Sequence, residues 1–128
     1  MKNLFFSILA TLGLCSGCTA QDGVKVLSPG DFIAAAEADS AAVILDVRQP
    51  DEFAAGHLAD AINLDWLNPS KFSEGIARLD KDRTYYIYCR SGRRSNAAAS
   101  KMKSEGFRVF DMKGGYLQWT GEGRPVVR

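Results

Sequence analysis

A cysteine is followed within six residues by three arginines, two serines and a glycine: Cys89-Arg90-Ser91-Gly92-Arg93-Arg94-Ser95. A thiol is a nucleophile only as its thiolate, and positive charge nearby favours that form. Arg90, Arg93 and Arg94 supply such charge. A helix starting just after the loop would add unpaired backbone N–H groups and about half a positive charge. Gly92 lets the backbone curl so that several amides point inward. The same cradle would hold an anion, so the predicted chemistry is attack by Cys89 on an anionic substrate, or transfer from one. A cysteine at the end of a strand is commonly a small, inert core residue. Such a position has no use for three arginines and a glycine directly downstream.

The elements that must position this loop follow from periodicity. Thr84-Tyr85-Tyr86-Ile87-Tyr88 is β-branched and aromatic, which predicts a buried strand ending at the cysteine. Asn96 to Lys103 reads as the helix after it, with Gly106 as its C-cap. Ala42 to Val47 is a continuous apolar run, as expected of a central parallel strand covered on both faces. Asp46 and Arg48 stand at its carboxyl end. Open α/β sheets bind ligands beyond the carboxyl ends of their strands, which would put Arg48 near Cys89 as a donor-binding residue. A plain structural ion pair between Asp46 and Arg48 is the simpler reading of the same residues.

Val24 to Leu27 reads as a short edge strand. Ser28 is an N-cap before Pro29, predicting a helix over Pro29–Ala38 that buries Phe32, Ile33 and Ala36. Pro50–Ala55 reads as a short helix stopped by Gly56, and Ala61–Leu64 as a short strand. Asp65–Ser70 reads as a loop with Trp66 packed on the core. Phe72, Ile76 and Leu79 space a helix over Lys71–Leu79. Phe107–Met112 reads as the last parallel strand, Gly114-Gly115 as a turn, and Tyr116–Trp119 as the start of a helix. Alternating strands and helices predict a mostly parallel five-stranded sheet with helices on both faces. His57, the single histidine, is read as a turn residue bonded to nearby backbone rather than a general base. A lone histidine also leaves no metal site to propose.

With 128 residues the chain holds one core. A formal net charge of +1 provides no global field for nucleic acid or an anionic membrane, so the basic loop suits a small anion. Met1 to about Ala20 reads as a targeting segment, with Lys2 in its n-region and an apolar stretch over Leu4–Leu14. Ser16-Gly17 before Cys18 is similar to a bacterial lipoprotein signal in which Cys18 is lipidated, although Cys15 stands where leucine is usual. The expectation is therefore an exported, periplasmic, membrane-anchored protein whose folded domain spans 24–128. That domain would keep one thiol, Cys89, and no intradomain disulfide.

Taken together, these blocks resemble the single-domain rhodanese-like sulfurtransferases. The match rests on Cys89–Ser95, on Leu45-Asp46-Val47-Arg48 with Glu52-Phe53 and Gly56-His57-Leu58, on Ala61–Leu64, and on Gly114–Trp119. It runs from about Val26 to Val127. Asp60 departs from the glycine usual before the alanine, which bears on that turn alone. The resemblance implies a Cys89 persulfide that takes sulfane sulfur from thiosulfate or a polysulfide and passes it to cyanide or a thiol. Arg90, Ser91, Gly92, Arg93, Arg94 and Ser95 would bind the donor, while Asp46 and His57 would be structural. No cofactor is implied, and a monomer is expected. A cysteine phosphatase or arsenate reductase needs arginine after five intervening residues, where this chain has Ser95. A non-catalytic sulfur-carrying or partner-binding module is the alternative from a different class.

Overall fold

The computed structural model describes residues 23–128. The targeting segment and Cys18 lie outside the described residues. Five strands, β1 (Lys25–Leu27), β2 (Ala42–Asp46), β3 (Ile62–Asn63), β4 (Thr84–Tyr88) and β5 (Arg108–Met112), form one sheet in the order β1-β5-β4-β2-β3. Every pairing is parallel, as the apolar runs require. The connecting helices are α1 (Pro29–Glu37), α2 (Pro50–Ala55), α3 (Pro69–Ala77), α4 (Arg93–Ser104) and α5 (Gly115–Gly121).

Strand β4 is central and buried at all five positions. Its side chains alternate between the two faces of the sheet, as a period of two demands. Tyr85, Ile87 and Cys89 pack with Phe72 and Ile76 of α3 and with Ala98, Ala99 and Met102 of α4. Tyr86 and Tyr88 pack on the other face with Phe32 and Ala36 of α1 and Trp119 of α5. The cysteine thus belongs to the α4 side, just past the carboxyl end of the middle strand.

Two helices begin earlier than periodicity predicts. Helix α3 starts at Pro69 because Asn68 caps it, its side chain accepting from the Lys71 amide at 3.3 Å. An Asn-Pro pair is a start signal independent of the apolar spacing. Helix α4 starts at Arg93, three residues before the predicted Asn96, because Gly92 is its N-cap in a left-handed conformation (φ 104°). The charged first turn hides that start from a search for apolar periodicity. Asp60 holds a left-handed φ of 67°, so the turn keeps the backbone a glycine would give it. A short polar side chain tolerates that region better than most.

Candidate active site

Cys89 lies one residue beyond β4 and is 1% exposed. The Gly92 amide donates to its Sγ at 3.1 Å. The Asn96 amide bonds the Gly92 carbonyl at 3.1 Å, closing the first turn of α4. The amides of Arg93, Arg94 and Ser95 fall in that turn, where a helix has no internal acceptor for them. The curled loop and the helix start therefore form one backbone cradle over the sulfur.

A second element holds the loop from behind. The Tyr116 amide donates to the Cys89 carbonyl at 2.8 Å and the Leu117 amide to the Arg90 carbonyl at 3.0 Å. Both amides belong to the first turn of α5. This approach needs Gly115, which sits at φ 58° with no room for a side chain. A Cβ there would lie 2.6 Å from the Cys89 carbonyl oxygen and from the Arg90 carbonyl carbon and oxygen. The Gly-Gly pair reads in sequence as a turn; its contact with the cysteine is a tertiary fact.

The side chains of the loop divide into three groups. Arg90, Ser91 and Arg93 are exposed around the mouth. Arg94 is partly buried and forms two parallel bonds to Glu52 of α2, Nη1 to Oε1 at 2.8 Å and Nη2 to Oε2 at 3.1 Å. Those bonds, ahead of the opposing effect of burial, hold the Glu52 carboxyl down at about 2. The Ser95 side chain is fully buried beneath the loop. Its backbone still belongs to the cradle.

Arg48 forms the structural ion pair that is the simpler of its two readings, which corrects its expected donor-binding role. It lies at the expected end of the sheet but is only 3% exposed, with two of its three guanidinium nitrogens engaged. Nε donates to Asp46 Oδ1 at 3.0 Å, and Nη2 donates to Asp46 Oδ2 at 2.8 Å and to the Gly56 carbonyl at 2.6 Å. The Tyr116 ring lies under it, 4.1 Å from the guanidinium carbon. The Tyr88 hydroxyl donates to Asp46 Oδ2 at 2.6 Å and accepts from the Leu58 amide at 3.1 Å. Burial, ahead of the Asp46 charge, pushes the Tyr88 phenol far up. The group is a largely buried bracket tying β2, β4 and the α2 exit together, with Nε and Nη2 of Arg48 engaged in it.

His57 has backbone partners. Its Nδ1 lies 2.8 Å from the Phe53 carbonyl, its ring stacks on Phe53 at 3.7 Å, and its amide and carbonyl pair with Val127. Among the described residues no group of three His, Cys, Asp or Glu side chains converges as a metal site would require. Glu52 is the site residue that reading for chemistry passes over. Its sequence signal is the Gln49-x-x-Glu52 capping box, whose Glu52 Oε1 accepts from the Gln49 amide at 2.9 Å.

Residues 28–122 match the sequence profile of the rhodanese-like domain. A sulfurtransferase of Allochromatium vinosum is 41% identical over 87 residues, covering 66% of this chain and 78% of that protein. The crystal structure of a rhodanese-related protein from Thermoplasma volcanium superposes with a TM-score of 0.71 at 32% identity, over 80% of this chain and 97% of the other. The solution structure of the polysulfide-sulfur transferase homodimer of Wolinella succinogenes gives a TM-score of 0.68 at 24% identity. It covers 81% of this chain and 78% of that one, and shares the fold.

Proposed function

The chain belongs to the rhodanese-like domain family, and from that premise we propose that it is a sulfurtransferase whose Cys89 carries sulfur as a persulfide. The Cys89 thiolate attacks the outer sulfur of an anionic donor such as thiosulfate. A new S–S bond forms at Cys89, the donor's own S–S bond breaks, and sulfite leaves with the bonding electron pair. Cyanide or a thiolate then attacks the outer sulfur of the persulfide. That step forms thiocyanate or a new persulfide and returns the Cys89 thiolate, so the kinetics are ping-pong.

The observation that carries this reading is the Gly92 amide pointing at Cys89 Sγ at 3.1 Å, beside the open first turn of α4. Fixed amides aimed at a sulfur stabilise negative charge as it develops there, without reorganising during the reaction. Arg90 and Arg93 at the mouth attract the anionic donor, while Arg94 is held back by Glu52. The direct test is thiocyanate formation from thiosulfate and cyanide, and its loss in Cys89→Ser. Hydrolysis of an aryl phosphate without thiocyanate would reverse the assignment. The segment over residues 1–20 is read with it as an export and lipidation signal. Cys18→Ala would then release the protein from membranes or block its processing, whereas an unmutated mature protein that is soluble and starts elsewhere would refute the anchor.

A further inference from the structure

Beneath the catalytic loop lies a carboxyl that the proposed reaction does not use. Asp111 of β5 is 2% exposed, and its register partner across the sheet is Ile87, two residues before Cys89. It faces the start of α4. The Asn96 side-chain amide donates to Asp111 Oδ2 at 3.4 Å, a long bond. The Ser95 side chain is fully buried against the same carboxyl. Burial pushes the Asp111 carboxyl up, and Ser95 and Asn96 pull it back down. Yet Ser95 Oγ and Asp111 Oδ1 each lack a partner within hydrogen-bond geometry.

Buried polar atoms without a partner are costly, and cores rarely keep them without a purpose. Here the two orphaned atoms stand on opposite sides of one contact, between the strand beside Cys89 and the turn that carries the cradle amides. A Ser95 hydroxyl donating to Oδ1 would partner both atoms at once. Holding Ser95 and Asn96 together sets the rotation of the first turn of α4 about its axis. That rotation decides whether the loop amides face the cysteine sulfur or pass beside it.

We propose that Asp111 is a positioning residue for the Cys89 loop, holding the first turn of α4 through Ser95 and Asn96 so that its amides converge on the sulfur. The inference concerns the geometry of the same site and rests on the sulfurtransferase reading only for its activity readout. Asp111 acts through α4 and does not touch the donor.

The experiment compares Asp111→Leu, Asp111→Asn, Ser95→Ala and Ser95→Ala/Asp111→Leu in the full chain. Two readouts are taken: kcat and KM for thiosulfate, and the alkylation rate of Cys89 by anionic iodoacetate relative to neutral iodoacetamide. Asp111→Leu removes the anchor and should lower kcat about tenfold in the folded protein, the melting temperature being measured alongside to separate this from unfolding. Its iodoacetate preference should fall, because the cradle amides no longer converge on the sulfur. Asp111→Asn keeps the shape, offers an amide to Ser95 and accepts from Asn96, so it should stay within about threefold of the parent on both readouts. The double variant should lose no more than Asp111→Leu alone, because both changes break one contact. An Asp111→Leu protein with unchanged kcat and alkylation preference would overturn the proposal, as would additive losses in the double variant. If Asp111→Leu does not fold, the Asn and Ser95→Ala variants decide. Loss of the iodoacetate preference in Ser95→Ala with retention in Asp111→Asn supports the anchor, and the reverse refutes it. A parent protein that makes no thiocyanate defeats the sulfurtransferase reading, while the alkylation ratios still test the anchor.

Discussion

Arg94 and Glu52 meet side by side at the edge of the Cys89 loop, guanidinium fork against carboxylate, at 2.8 and 3.1 Å. The sequence places them on different elements, α4 and α2, and neither is visible as the other's partner until the sheet brings the two together. Bidentate, partly buried pairs of this kind are stronger than exposed ones. Glu52→Gln should therefore lower stability by about 1–2 kcal/mol at pH 7. The carboxyl is held down at about 2 from an ordinary value of 4.5. Its contribution is thus full above the ordinary value and lost as pH falls through the lower one. Urea denaturation at pH 7 and pH 3 should show a smaller gap between variant and parent at pH 3. An equal gap at both would mean that the pair does not hold the loop.

Gly115 tests how closely α5 presses on the loop. Gly115→Ala combines a left-handed φ with a Cβ driven into backbone atoms of Cys89 and Arg90. It should cost about 2–4 kcal/mol and lower thiocyanate formation in whatever remains folded. Gly121, near the end of the same helix, has open space around it. Gly121→Ala should stay within about 1 kcal/mol of the parent with full activity. Thermal melts and activity assays on the two variants give the comparison. Equal behaviour would show that the clamp is not rigid.

Arg48 separates a binding role from a bracing one. Arg48→Ala leaves Asp46 charged and buried, which should cost about 3–5 kcal/mol, while the KM for thiosulfate in the folded fraction stays within twofold. The pair replaced together, Asp46→Leu with Arg48→Met, should recover most of the loss, because neither charge is then left alone. Little loss of stability with a strongly raised KM would return Arg48 to the donor site.

Much of this was legible in the sequence because it is local. Cys89, the strand before it and Gly92 lie within a few residues, and their types state their own requirements. The parallel sheet followed from apolar runs alternating with capped helices. What could not be read was which arginines remain free. Arg48, Arg90, Arg93 and Arg94 are the same residue type, and burial and long-range partners alone distinguish them. The burial of the Ser95 side chain against Asp111 is likewise a fact of the fold, not of the local sequence. Glu52 and Gly115 were missed as site residues because each acts across more than twenty residues of chain.

The first turn of α5 has a property that first turns ordinarily lack. Amides at a helix start usually face water and exchange their hydrogens quickly. The Tyr116 and Leu117 amides instead end on the carbonyls of Cys89 and Arg90. They can exchange only when the loop and the helix separate, so deuterium uptake at these two positions measures how often the Cys89 sulfur loses its cradle.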